Sequence, residues 1–223
     1  MNNSLSRFSG LLAITLGIDI PIGIVFYELS FRVYNRTPLL IISGFLILIA
    51  AFLNPTLVWI LQRSIDTQSF GLKQFIFLTG IFGSLIVLIG SGFDLLNTTV
   101  GYNLIIWFPL SQTQSIIAVG YAFIGLWLLL LNVQARLHDV WSPQLAWLGI
   151  IAGTIMAIAL LAIPKVFIPY VSLYHELVPE LGELVGDLGW RLIFPAWNIW
   201  LGFVYLKGIY GDKNLQRAIP PIR

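Results

Sequence analysis

Residues Phe75–Leu96 read FIFLTGIFGSLIVLIGSGFDLL and contain one charged side chain, Asp94. The hydrocarbon core of a bilayer is about 30 Å thick, so a helix needs about 17–25 mainly apolar residues to cross it, and this run has that length. Five other segments have the same character: Phe8–Ser30, Leu39–Leu61, Ser115–Val133, Leu145–Ile163 and Trp190–Leu206. The sequence therefore predicts an all-α, polytopic transmembrane bundle of six helices, with residues 1–223 forming a single transmembrane domain.

The composition excludes a soluble globular domain. Hydrophobic residues make up 58% of the chain and charged residues 10%, and the mean hydropathy is +0.89. Soluble domains carry about 25% charged residues. The net charge of +2 is too small to indicate nucleic acid, so the predicted partners are the lipid bilayer and other membrane proteins or further copies of this chain. Cysteine is absent, which excludes disulfides and thiolate metal sites.

The distribution of basic residues predicts the orientation. Lys and Arg are enriched in cytoplasmic loops, and a model with both termini in the cytoplasm satisfies this rule. The first segment is longer than the apolar part of a signal peptide, about 7–15 residues, so we expect it to be retained as a helix. The inner side then carries Arg7, Arg63, Lys73, Arg136, Lys207, Lys213, Arg217 and Arg223, and the outer side carries Arg32, Arg36, Lys165 and Arg191.

Small residues recur every four positions in the fifth segment, at Gly149, Gly153 and Ala157. Lipid provides no hydrophobic force for helix association, so close backbone approach at small residues is a main source of packing energy. The pattern predicts that the fifth helix is the central one. The many aromatic side chains are typical of interface belts and lipid-facing surface, or alternatively of a pigment or quinone site.

Asp19 lies near the middle of the first segment. A carboxylate at the bilayer centre costs about 2.5–3.5 kcal/mol on insertion scales, so it must be paired, protonated or hydrated. One interpretation is a neutral Asp19 hydrogen-bonded to a neighbouring helix or to backbone freed by Pro21. The other is a role in handling an ion, a proton or a ligand.

Four ionisable residues fall at similar depth near the predicted outer ends of the helices: Glu28, Asp94, Lys165 and Arg191. Opposite charges at one level predict a polar cluster, since pairing across the bundle is the least costly arrangement next to hydrocarbon. Structural ion pairs and an outward-facing ligand pocket both satisfy this prediction.

The last predicted outer loop is acidic, with Glu176, Glu180, Glu183 and Asp187. If the run Glu180–Arg191 is helical and extends the sixth helix, Asp187 and Arg191 form a favourable i,i+4 pair. Glu183 and Asp187 form an unfavourable one, which a bound cation would relieve. A solvated loop helix explains the same charges without a ligand.

Motifs for catalysis and metal binding are missing. His175-Glu176 starts an H-E-x-x-H pattern, but Pro179 stands where the second histidine belongs. His138, the other histidine, is predicted on the opposite side, so no histidine-based zinc site is expected. The G-x-S-x-G, S-x-x-K and P-loop patterns are absent as well. The sequence predicts no catalytic residue, no metal site and no cofactor.

Three stretches resemble a family of bacterial integral membrane proteins known as a domain of unknown function: GLWLLLL (Gly125–Leu131), SPQLAWLG (Ser142–Gly149) followed by Gly153, and WNIWLGFVYLKG (Trp197–Gly208). Proteins of that family have similar length and six to seven helices. The resemblance implies a bacterial origin and an inner-membrane location, and it implies no activity or site residue.

Three classes of function fit these patterns. The first is a structural, accessory or regulatory membrane protein, which the low charge and short inner loops favour. The second is a small transporter or proton-coupled carrier that uses Asp19, although inverted repeats typical of such proteins are not visible. The third is an intramembrane lipid-modifying enzyme with Asp94, His175 and Glu176 as acid and base, for which no nucleophile is present.

Overall fold

The computed structural model describes residues 3–34, 37–65, 69–100, 110–163 and 177–207, and these ranges are almost entirely helical. A 3₁₀ turn at Ile158–Ala162 directly follows an α-helix that ends at Ala157, and a π-helical turn at Gly189–Ile193 joins an α-helix that ends at Leu188 to one that begins at Phe194. The α-helices are α1 (Asn3–Ser30), α2 (Thr37–Ser64), α3 (Phe70–Val100), α4 (Leu110–Leu137), α5 (Pro143–Ala157), α6 (Leu177–Leu188) and α7 (Phe194–Leu206).

Five of these helices are long and apolar enough to cross a membrane, namely α1 to α4 and α5 with its 3₁₀ extension. Their positions match the first five predicted segments. The sixth segment, Trp190–Leu206, falls on the π-turn and on α7, which has only 13 residues. Residues 177–206 nevertheless stay helical through α6, the π-turn and α7, as expected from the helix-compatible run before Arg191.

The helices form a closed ring. Each of α1 to α5 packs against the next along the chain, and α7 packs against α1. Ser6 donates a hydrogen bond to the Tyr205 carbonyl oxygen (3.0 Å), so the start of α1 and the end of α7 share one end of the bundle. We call this the near end; the far end is the opposite one, where α1 ends at Ser30 and α2 begins at Thr37.

Helix α4, rather than α5, is the most buried span, which corrects the prediction of a central fifth helix. Within the most apolar window of each helix, 61% of α4 is buried and 39% of α5. A Cβ atom on Gly153 would meet Leu129 N and the Gly125 carbonyl oxygen, both backbone atoms of α4. The small residues therefore mark a close α4–α5 contact, and a contact on one side does not make a helix central.

Tryptophans form part of the core, which corrects the expectation that they lie mainly at the membrane interfaces or face lipid. Trp127, Trp141 and Trp197 are at most 3% exposed and pack edge to face around Trp197. Trp197 Nε1 donates to Asn132 Oδ1 (3.2 Å), which joins α7 to α4 in the interior. Trp59, Trp147 and Trp200 are exposed and follow the predicted pattern.

Candidate functional site

A pocket of about 170 Å³ lies at the far end of the bundle, and α1, α2, α3, α4 and the α6–π segment all contribute to its wall. Ile24, Ile47 and Ile117 provide apolar surface. We call this cavity the far-end pocket. Its polar lining residues are Tyr27, Ser43, Asp94, Thr98, Asp187 and Arg191.

Arg191 pairs with two carboxylates at this pocket. Its guanidinium lies 3.0 Å from Asp187 Oδ2 and 3.5 Å from Glu28 Oε1, so it joins α6 to α1. Asp94 lines the same pocket from α3. Among the described residues that line the pocket or pair with its lining, the carboxylates of Glu28, Asp94 and Asp187 outnumber the guanidinium of Arg191. Among these described residues, acidic groups are therefore in excess.

Trp190 also binds the Asp187 carboxylate. Its indole Nε1 donates to Asp187 Oδ1 (2.8 Å), while Oδ2 of the same carboxylate accepts from Arg191. Both carboxylate oxygens are thus occupied, and the Arg191 guanidinium lies 5.3 Å from the Trp190 ring centre. The Asp187–Arg191 pair is the i,i+4 pair that the sequence predicts.

Asp187, Trp190 and Arg191 of the pocket lie on or beside the π-turn. In the turn Gly189–Ile193 the Phe194 amide bonds to the Gly189 carbonyl oxygen, one residue farther than in an α-helix. Pro195 follows directly and has no amide hydrogen to donate, which favours this irregular bonding. The extra residue rotates α6 relative to α7. Cβ positions on Gly186 and Gly189 would lie 2.5 Å from Ala159 and 2.6 Å from Met156, so α6 rests closely on the helix before it.

Tyr121 is buried in the bundle beside the pocket residue Trp190. It is 3% exposed and stacks on Trp190, with ring centroids 4.5 Å apart and planes 5° from parallel. Asp19 is partly buried, and its Oδ2 atom is buried with no hydrogen-bond partner in the described part of the chain.

The structure brings together three of the four residues predicted to cluster, Glu28, Asp94 and Arg191. Lys165 and Glu176 lie outside the described residues, and Glu180 and Glu183 lie on α6. Gly149 and Gly153 lie at the α4–α5 contact, and a Cβ on Gly125 would lie 2.8 Å from the Ala157 amide nitrogen. In the five described ranges, no group of three or more His, Cys, Asp or Glu side chains is placed to hold a metal ion.

Sequence reasoning missed Tyr121 and Trp190 as site residues. Tyr121 lies in a continuous apolar segment, where an aromatic residue carries no local signal, and Trp190 is one of eight tryptophans. Only the stacking of the two rings across the bundle reveals their position.

No family model matches this chain, and no curated protein or solved structure shows significant similarity to it.

Proposed function

We propose that this chain is an integral membrane protein that binds a small organic cation in the far-end pocket. The observation that carries the proposal is a cavity of about 170 Å³ whose walls combine isoleucines with Asp94 and Asp187. Among the described residues at the pocket, carboxylates outnumber the guanidinium, which favours a positively charged ligand over a neutral or negative one.

The size of the pocket limits the ligand. Sites for drug-sized molecules usually span about 300–1,000 Å³. A cavity of about 170 Å³ suits a compact ion or the head group of a larger amphiphile. Apolar walls and nearby carboxylates together favour an alkylated ammonium ion over a strongly hydrated metal cation, because the alkyl groups recover hydrophobic contact with Ile24, Ile47 and Ile117.

A set of three probes of similar shape tests this proposal: tetramethylammonium, uncharged tert-butanol and anionic pivalate. Calorimetric titration of the protein in maltoside micelles should detect binding of tetramethylammonium alone. Asp94→Asn should weaken this binding about tenfold, which corresponds to about 1.4 kcal/mol.

Asp139→Asn is the matched control for this titration. Asp139 pairs with Arg136 at the near end (3.3 Å) and has a side chain that is 86% exposed, so its removal should leave binding unchanged. Tight pivalate binding, or equal losses in the two variants, would refute a cation site at this pocket.

We also propose six spans with both termini in the cytoplasm of a bacterial cell, in the inner membrane. The eight-to-four distribution of basic residues supports this orientation, and the continuous helix through residues 177–206 supports the sixth span. The far-end pocket then opens on the outer side of the membrane.

The accessory role and the lipid-modifying role stay predictions. The accessory role predicts a stoichiometric membrane partner or a homo-oligomer, and co-purification under mild detergent tests it. The enzymatic role relies partly on His175 and Glu176, which lie outside the described residues.

A further inference from the structure

Asp19 is an acidic residue near the middle of a span, and none of the described residues supplies a counter-ion to it. It lies near the centre of a span that extends over Ser4–Ser30. In the described part of the chain it forms no ion pair, and its buried Oδ2 atom has no hydrogen-bond partner. Ionised Asp19 in this setting has a desolvation cost that no ion pair from the described residues offsets. The protonated form avoids this cost.

The described elements packed against α1 supply little positive charge at this depth. Helix α2 carries Arg63 at its near end as its only charged residue, and α7 carries none. The π-turn supplies Arg191, which is already shared between Glu28 and Asp187. On α1 itself, Arg7 lies near the near end and Glu28 near the far end.

Asp19 lies on the same helix as two residues that line the far-end pocket. Ile24 and Tyr27 of α1 line the pocket, and they follow Asp19 by five and eight residues, which is about 8 and 12 Å along the helix axis. Tyr121 stacks on Trp190, which lines the far-end pocket and donates to Asp187. A positive charge in the pocket therefore stabilises a negative charge on Asp19, across a buried region where screening by water is weak.

We propose that Asp19 is a proton-binding site in the membrane interior, and that it releases its proton when a cation occupies the far-end pocket. In this step the carboxylic O–H bond breaks, the proton passes to water, and the carboxylate keeps the electron pair. The proton site stands on the geometry of Asp19, while the coupling to the cation rests on the proposed function.

The coupling has a defined sign. Ionised Asp19 favours the cation, and ionised Asp19 becomes more abundant as the pH rises, so cation affinity increases with pH. By thermodynamic reciprocity the cation lowers proton affinity by the same factor. In Asp19→Asn the side chain stays neutral, so this contribution to the pH dependence disappears.

Infrared difference spectroscopy tests the proton site without any ligand. A protonated carboxylic acid has a carbonyl stretch separate from the bands of a carboxylate, and this stretch shifts in heavy water. At neutral pH the reconstituted protein should show an acid band that is absent in Asp19→Asn, shifted in Asp19→Glu and unchanged in Asp139→Asn. Identical spectra for the unmodified protein and Asp19→Asn, both eluting as folded monodisperse particles, would overturn the proposal.

Adding tetramethylammonium tests the coupling. The Asp19 acid band should lose intensity as the cation binds, and the carboxylate bands should gain it. Binding without any change in the Asp19 band would overturn the coupling. If tetramethylammonium does not bind but the acid band is lost in Asp19→Asn, the cation-binding function and the coupling fail, while the proton site is upheld.

Discussion

Gly153 provides the sharpest test of how α5 packs on α4. A Cβ atom there would meet Leu129 N, and would lie 2.6 Å from the Gly125 carbonyl oxygen and 2.8 Å from Leu129 Cα. All three are backbone atoms, so no side-chain rotation relieves the clash. Gly153→Ala must therefore separate the two helices, and overpacking of this kind costs about 1–3 kcal/mol.

Gly92 offers the same substitution in open space, because no atom lies within 4 Å of a Cβ built there. Replacing glycine by alanine in a helix gains about 0.8–1.0 kcal/mol of intrinsic helix propensity at either position. This gain cancels when the two variants are compared. The difference in stability between Gly153→Ala and Gly92→Ala is thus the overpacking cost alone, about 1–3 kcal/mol.

Thermal unfolding in detergent, followed by intrinsic fluorescence, measures this difference. For a chain of this size about 1 kcal/mol corresponds to roughly 2–4 °C, so the Tm of Gly153→Ala should lie roughly 2–12 °C below that of Gly92→Ala. Equal Tm values would show that α4 and α5 do not approach each other at Gly153, and the reasoning from small residues to close contact would be wrong.

Two further outcomes are expected. Reporter fusions placed after Gly208 and within residues 97–114 should report opposite sides of the membrane, because three of the six proposed spans lie between the two positions. Reporters on the same side would contradict six spans. Asn132→Ala should destabilise the protein by about 1–3 kcal/mol, because it leaves the buried Trp197 Nε1 without its acceptor. Gln144→Ala, at an exposed position in the first turn of α5, should leave the Tm nearly unchanged, and a similar Tm for the two variants would remove the Asn132–Trp197 bond from the account of stability.

The membrane-spanning character of the chain was predictable from sequence. A bilayer requires long apolar helices because it offers no partner for backbone polar groups, and this requirement acts on each segment separately. The run Phe75–Leu96 therefore predicts α3, observed at Phe70–Val100, without knowledge of any other helix. The cost of charge in hydrocarbon likewise made Asp19, Glu28, Asp94 and Arg191 recognisable as residues that must find protein or water.

Which residues meet was decided by the tertiary structure. Gly149 and Gly153 indicate a close contact but not its partner, and the pairing with Asn132 and Leu129 depends on the rotation of α4. The far-end pocket depends on how α6 and the π-turn at Gly189–Ile193 pack against α1, where Arg191 pairs with Glu28. Helix rotation follows from contacts between distant segments, and no local pattern in a uniformly apolar sequence records it.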